Sequence, residues 1–212
     1  ILPPHSLMQQ SLNNHFVLYK PKDIVSGDFY WIEQKDEVVY FAVVDCTGHG
    51  VPGALMSMIG FNSLNKIVRE NLIYSPANIL DKLSDEVEVI LRQKEKHELK
   101  DGMDIALCMY DTKTMELEYA GANNSLYILR KDNEVFQNTF DVEPIALVEK
   151  VLYEVKADRQ PIGIYENRKQ FTNHKFKLAQ GDSLYLFSDG YADQFGGPKN
   201  KKFQYRKLKE LL

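Results

Sequence analysis

With 212 residues, 44% of them hydrophobic and 26% charged, the chain has enough apolar material for one sizeable core. Its net charge of −4 gives no global attraction to nucleic acid or to an anionic membrane. No apolar run reaches the roughly 20 residues of a spanning helix, so direct membrane insertion is not expected.

The first residues, Ile1-Leu2-Pro3-Pro4, carry neither an initiator methionine nor a basic-then-apolar leader, and the chain reads as a piece of a longer protein. Residues 15–20, 29–33 and 38–45 are rich in β-branched and aromatic side chains and are predicted as strands. Alternation in the last of these puts Val39, Phe41, Val43 and Asp45 on one face. Pro52 then stands where a first helical turn tolerates it, and Val51, Leu55, Met58, Ile59 and the run from Phe61 to Val68 continue at helical spacing. A second helix is marked by Ser75 as N-cap, Pro76 in the first position and a stripe of Ile79, Leu80, Leu83, Val87, Ile90 and Leu91.

After the charged run 92–101 the pattern returns to strands at 103–110, 115–120, 125–130 and 133–136, with Asp132-Asn133 as a hairpin turn between the last two. Residues 137–150 suggest a loop or a short helix. Strands at 151–157, 170–178 and 183–188 follow, then a basic helix from about Lys202. Two neighbouring helices among many antiparallel-looking strands predict an α+β class, with two sheets flanked by helices in one domain, 1–212.

Three aspartates close three of these segments at glycine turns: Ser26-Gly27-Asp28, Val44-Asp45-Cys46 and Ser188-Asp189-Gly190. Carboxylates at the ends of apolar strands are costly to desolvate unless something positive lies among them. Hard divalent cations are the simplest partner, because Mg²⁺ and Mn²⁺ prefer oxygen ligands. The plain alternative is three ordinary turns. The five histidines show no paired spacing for zinc, and neither Cys46 nor Cys108 has an arginine six positions on, as a cysteine-based phosphatase loop would. Two cysteines are also too few for a disulfide scaffold, which fits a cytoplasmic domain. Gly48-x-Gly50-x-x-Gly53 fits the dinucleotide fingerprint. Asp45 would aim a negative charge at the pyrophosphate there, and no second parallel strand ending in an acid follows.

Four ordered stretches carry a resemblance: Val25 to Trp31, Asp45 to Ser57, Gln160-Pro161-Ile162-Gly163, and Gly181 to Gly190. Together they resemble the SpoIIE-type branch of the metal-dependent (type 2C) serine/threonine protein phosphatases. The resemblance implies a four-layer α-β-β-α sandwich of two antiparallel sheets, with two Mn²⁺ or Mg²⁺ ions at one edge. By position Asp45 would bridge both ions, the Cys46 main-chain carbonyl would complete the second, Asp189 would hold the first, and Asp28 would sit in or beside that shell. Asp28, Asp45 and Asp189 are thus the implied catalytic set. Two such cations about 4 Å apart would polarise the phosphoryl oxygens and generate a bridging hydroxide for in-line attack. His49 is a candidate proton donor to the leaving oxygen, against the plainer role of a turn histidine bonded to backbone.

The resemblance further implies a phosphoserine or phosphothreonine protein as substrate, such as an anti-sigma factor antagonist, and an upstream sensor that would tether the domain. A catalytically silent, partner-binding module of the same fold is the other alternative. The family pattern ends on an Asp-Asp pair in a final strand; the sequence stops at Leu212 before such a strand, so the first metal site is expected to be incomplete and the exposed sheet edge open to homodimer pairing.

Overall fold

The structure is a computed structural model and describes residues 2–12, 14–70, 75–92, 101–131, 144–147 and 150–212. Its larger sheet is built on β2 (Val38–Cys46), which pairs antiparallel with β1 (Phe29–Lys35) on one side and β3 (Gly102–Asp111) on the other. β4 (Glu116–Ala122) and β9 (His174–Lys177) extend the sheet, and the short β8 (Ile162–Gly163) pairs with the start of β3. The smaller sheet runs β10 (Ser183–Tyr185), β5 (Leu126–Lys131), β7 (Lys150–Val155), β6 (Pro144–Ala146). A separate ribbon joins β11 (Phe195–Gly196) to β12 (Lys201–Lys202). Every pairing between named strands is antiparallel among the described residues.

Strand alternation decides what each face buries. The even residues of β2, namely Val38, Tyr40, Ala42, Val44 and Cys46, join Met103, Ile105 and Leu107 of β3 beneath two helices, α2 (Gly50–Glu70) and α3 (Pro76–Arg92). The opposite face of β3 contributes Ala106 and Cys108 to a layer shared with Leu126, Ile128, Tyr153 and Val155 of the smaller sheet. On that sheet's outer face Tyr127, Leu129 and Leu152 meet Phe187 and Leu212, and Lys209 of α4 (Gln204–Leu211) donates to Glu154 at 2.7 Å. The layers are therefore helix, sheet, sheet, helix, the expected α+β sandwich.

α3 matches its predicted stripe: Ile79, Leu80, Leu83 and Val87 are all but inaccessible, and the Asn78 N–H reaches the Ser75 hydroxyl at 3.5 Å in the cap position. α2 corrects its prediction. Val51, Leu55 and Met58 are exposed, and the buried face is Gly53, Met56, Ser57, Gly60, Leu64, Ile67 and Val68. Small residues face inward because the helix lies very close to the sheet; a Cβ at Gly60 would meet the Met103 sulfur at 2.9 Å.

Other differences have local causes. Residues 15–20 form no strand: among the described residues no ladder pairs them, and Phe16, Val17 and Leu18 are left exposed. A seven-residue helix, α1 (His5–Ser11), precedes them; Met8, Leu7 and Leu12 pack on Ile32 and Val39, and this tertiary contact sustains a helix too short to stand alone. The strands expected at 170–178 and 183–188 are trimmed to their paired portions. Part of 137–150, expected as loop or helix, is strand β6, held by pairing with β7. The Asp132-Asn133 turn and the strand at 133–136 lie outside the described residues. Among the described residues no helix is long and apolar enough to cross a membrane.

Candidate metal centre

Asp28 is placed by the turn that opens β1. Its N–H donates to the Ser26 hydroxyl at 3.0 Å, and Tyr19 donates its hydroxyl to the Asp28 carbonyl at 3.1 Å. The buried Ser57 hydroxyl of α2 lies 2.7 Å from the Gly27 carbonyl, 2.9 Å from that of Gly53 and 3.1 Å from that of Ser26. One side chain thus fastens the helix to the turn that aims Asp28.

Asp45 stands across from Asp28 at the same open end of the β1–β2 hairpin, one step beyond the Phe29–Val44 pair, on the face turned toward the smaller sheet. Beyond it Thr47 extends the ladder, its N–H donating to the Gly102 carbonyl at 3.0 Å and its hydroxyl accepting the Gly102 N–H at 3.0 Å. Asp189 comes from the smaller sheet, in the turn after β10. Its neighbour Ser188 donates to the Asp28 carboxylate at 2.8 Å across 160 positions of sequence. Asp28, Asp45 and Asp189 therefore meet at one end of the cleft between the sheets.

The glycines of this region serve close packing. Gly48 and Gly50 have φ of +86° and +63°, backbone that a side chain disfavours. A Cβ on Gly53 would stand 2.6 Å from the Gly48 carbonyl oxygen and 3.1 Å from the Gly27 Cα. The start of α2 and the turns flanking β1 and β2 are stacked backbone on backbone. The dinucleotide alternative is corrected by topology: β2 lies between antiparallel neighbours, and among the described residues every pairing of named strands is antiparallel, so the strand before this turn belongs to no βαβ unit. Gly53→Ala must force these turns apart; we expect a loss of about 1–3 kcal/mol, as for overpacking in a core, read as a fall in Tm and in chemical-denaturant midpoint.

The electrostatics are those of crowded acids. Burial first, then the charges of Asp28 and Asp189 and a hydrogen bond with the Asp28 carboxyl, push Asp45 up to about 8. Asp189 is also raised, by burial and by Asp193 and Asp28. Asp193 itself is bound by Lys202 at 2.6 Å.

A fourth acid went unread in the sequence. Asp104 of β3 is the register partner of Asp45, so two carboxylates sit opposite each other on one face, an arrangement that repels. Burial raises its pKa against the opposing effect of Asn123, which donates to it at 2.8 Å. The available signal was an acid inside an otherwise apolar strand, Met103-Asp104-Ile105-Ala106-Leu107.

Cys46 is buried, and desolvation pushes its thiol up to about 12, so only its main chain can serve as a hard ligand. Among the described residues His49 shows no side-chain bond to backbone, contrary to the plainer reading; it is largely exposed and contacts the Asp23 carboxylate at 3.5 Å. Gln160 closes the loop 160–169 through paired bonds to Lys169, and Gly163 is clamped between β3 and the Ser84 hydroxyl of α3, so that stretch is architectural.

Carboxylate and carbonyl oxygens alone, with mutual repulsion to relieve, fit hard divalent cations by donor chemistry. The described residues hold no ready-made group of three or more side chains at metal-coordinating geometry.

Residues 35–212 match the family model described as Stage II sporulation protein E (SpoIIE). The chain is 27% identical over 178 residues to the phosphoserine phosphatase RsbU of Bacillus subtilis, covering 82% of this chain and 44% of RsbU. It thus spans less than half of that curated relative. The structure is similar to the SiaA-PP2C domain of Pseudomonas aeruginosa, with a TM-score of 0.80 and 31% identity over all of this chain and 75% of that one. The fold also matches RsbX in complex with magnesium, at a TM-score of 0.55 and 12% identity over 92% of this chain and 82% of that one. This chain belongs to the SpoIIE family of PP2C-like serine phosphatase domains.

Proposed function

We propose that the chain is a divalent-metal-dependent protein phosphatase acting on phosphoserine or phosphothreonine of a signalling protein. The observation that carries this reading is the meeting of Asp28 and Asp45, from the open end of one hairpin, with Asp189 from a distant segment beside the other sheet, around a carboxyl that burial and like charge push up to about 8. In this reading Asp45, Asp189, Asp28 and the Cys46 main-chain carbonyl would hold the divalent cations; Asp104, bonded by Asn123, is the register neighbour of Asp45.

Bound Mn²⁺ or Mg²⁺ would supply Lewis acidity toward the phosphoryl oxygens and lower the pKa of water at the centre. The chain's own part is to hold the oxygens. Ser188 orients Asp28, Ser57 fixes the turn before it, and the Asp45 carboxyl must release its proton before it can serve as an anionic ligand. The Cys46 thiol stays protonated and takes no part.

In the same reading the substrate is a small phosphoprotein of the anti-sigma antagonist kind, the domain works in the cytoplasm, and an upstream sensor acts through α2, whose first turn is packed against the Asp28 and Asp45 turns. The full-length protein should hydrolyse p-nitrophenyl phosphate and a phosphoserine peptide with Mn²⁺, and lose this with a chelator or with Asp45→Ala. Peptide binding without turnover in any divalent metal would instead identify a silent binding module.

A further inference from the structure

The turn that carries Asp189 runs directly into a basic hairpin. Between Asp193 and Glu210 the sequence has six lysines and arginines and no acid, in a chain of net charge −4. β11 and β12 set Phe195 against Lys202 and Gly196 against Lys201, and the tip closes through the Asn200 N–H to the Gly197 carbonyl at 3.1 Å.

Both sides of the hairpin are tied to the acidic centre. The Asp193 N–H donates to the Asp189 carbonyl at 2.9 Å, the Gln204 N–H to the Ala192 carbonyl at 2.7 Å, and the Phe203 N–H to the Gln194 carbonyl at 2.9 Å. Lys202 adds its bond to Asp193. Lys199 and Lys201 are exposed and take part in no ion pair among the described residues. Phe195, 65% exposed, offers an apolar surface beside them, with the Lys202 ammonium 5.9 Å from its ring centre.

A phosphoserine side chain carries close to two negative charges at neutral pH. On a chain of net charge −4, exposed positive groups beside the centre are what steer such an encounter. Among the described residues the hairpin carries exposed Lys199 and Lys201 on the stretch that continues from the Asp189 turn, to which it is joined by backbone.

We propose that the β11–β12 hairpin, through Lys199 and Lys201, is the docking surface for acidic residues that flank the phosphoserine of the protein substrate. The proposal rests on the phosphatase reading of the adjoining centre and adds the chemistry of the substrate to it: the favoured phosphopeptide has anionic flanks.

The full-length protein is assayed with Mn²⁺ on p-nitrophenyl phosphate and on two synthetic phosphoserine peptides, one flanked by glutamates and one by serines and alanines. Labelled forms of both peptides are titrated by fluorescence anisotropy. The acidic peptide should bind about tenfold more tightly, with a preference that falls as salt rises from about 50 to about 200 mM. Lys199→Glu combined with Lys201→Glu should raise KM and Kd for the acidic peptide about tenfold or more and erase its salt dependence, with the double Lys→Gln variant between. Equal binding of the two peptides by the wild type, or the full preference surviving charge reversal, overturns the proposal. Lysine-dependent binding to phosphatidylserine vesicles without a peptide preference overturns it too, assigning the patch to a membrane. Anisotropy needs no turnover, so loss of p-nitrophenyl phosphate hydrolysis alone counts against the phosphatase reading and leaves the docking surface to be judged on binding.

Discussion

Asn at position 45 should leave a folded protein with phosphatase turnover lowered by about a thousandfold or more, since a neutral amide in place of the carboxylate proposed to hold the cations would weaken their binding. The same change should stabilise the cation-free protein at alkaline pH. Asp45 titrates near 3.8 when unfolded and at about 8 when folded. Between those values the folded state holds a proton that the unfolded state lacks, so stability falls as pH rises toward 8 and levels off above it. Asparagine removes that slope. A Tm gain of a few degrees over the parent at about pH 8.5, vanishing near pH 4, is the expected thermal-melt result, because a partly exposed group keeps only part of the effect. Cation binding must displace the same proton, so Mn²⁺ affinity by calorimetry should rise with pH up to about 8 in the parent. Activity of Asp45→Asn within a few-fold of the parent would remove the role given to this residue.

Arg130→Ala should be among the most destabilising single changes, and its effect arises away from the acids. Arg130 of β5 and Asp182 at the start of the β10 segment are both buried, joined by two bonds at 2.8 and 2.5 Å. Arg130 also donates to the Lys177 carbonyl at 3.1 Å, and Asp182 accepts the Ala179 N–H at 2.8 Å. Removing the guanidinium leaves Asp182 buried without its cation, at a cost of about 3–5 kcal/mol. For a domain of this size that is roughly 6–20 °C in Tm. Arg130→Met with Asp182→Leu should recover much of the loss, because a well-packed apolar pair can match a buried ion pair. Denaturant curves of the two variants separate these outcomes.

Most of the frame was legible because its signals are local. The β1–β2 hairpin alternates cleanly, and α3 announces itself with Ser75, Pro76 and an unbroken stripe. What escaped depends on partners that a single segment does not display. α1 exists through Ile32 and Val39, the two- and three-residue strands exist through their neighbours, and residues 15–20 look like a strand without one beside them. α2 misled because the first half of its inward face sets Gly53, Ser57 and Gly60 around Met56, small where the sheet is close, while Val51 and Leu55 face out. Asp28, Asp45 and Asp189 were visible as turn-closing acids. Asp104 was hidden inside its strand, and only the register of β2 on β3 reveals its neighbour.

The acids are shared between two independent slabs. Asp45 and Asp104 ride on the larger sheet, and Asp189 rides on the smaller. Their separation is therefore governed by the thickness of the layer of Cys108, Leu117, Tyr119, Ile128 and Phe176 that holds the slabs apart. Such a layer behaves as a gauge block: thinning it by a methylene or two, as with Ile128→Val, tilts one slab toward the other and changes the calibre of a centre that none of those side chains touches.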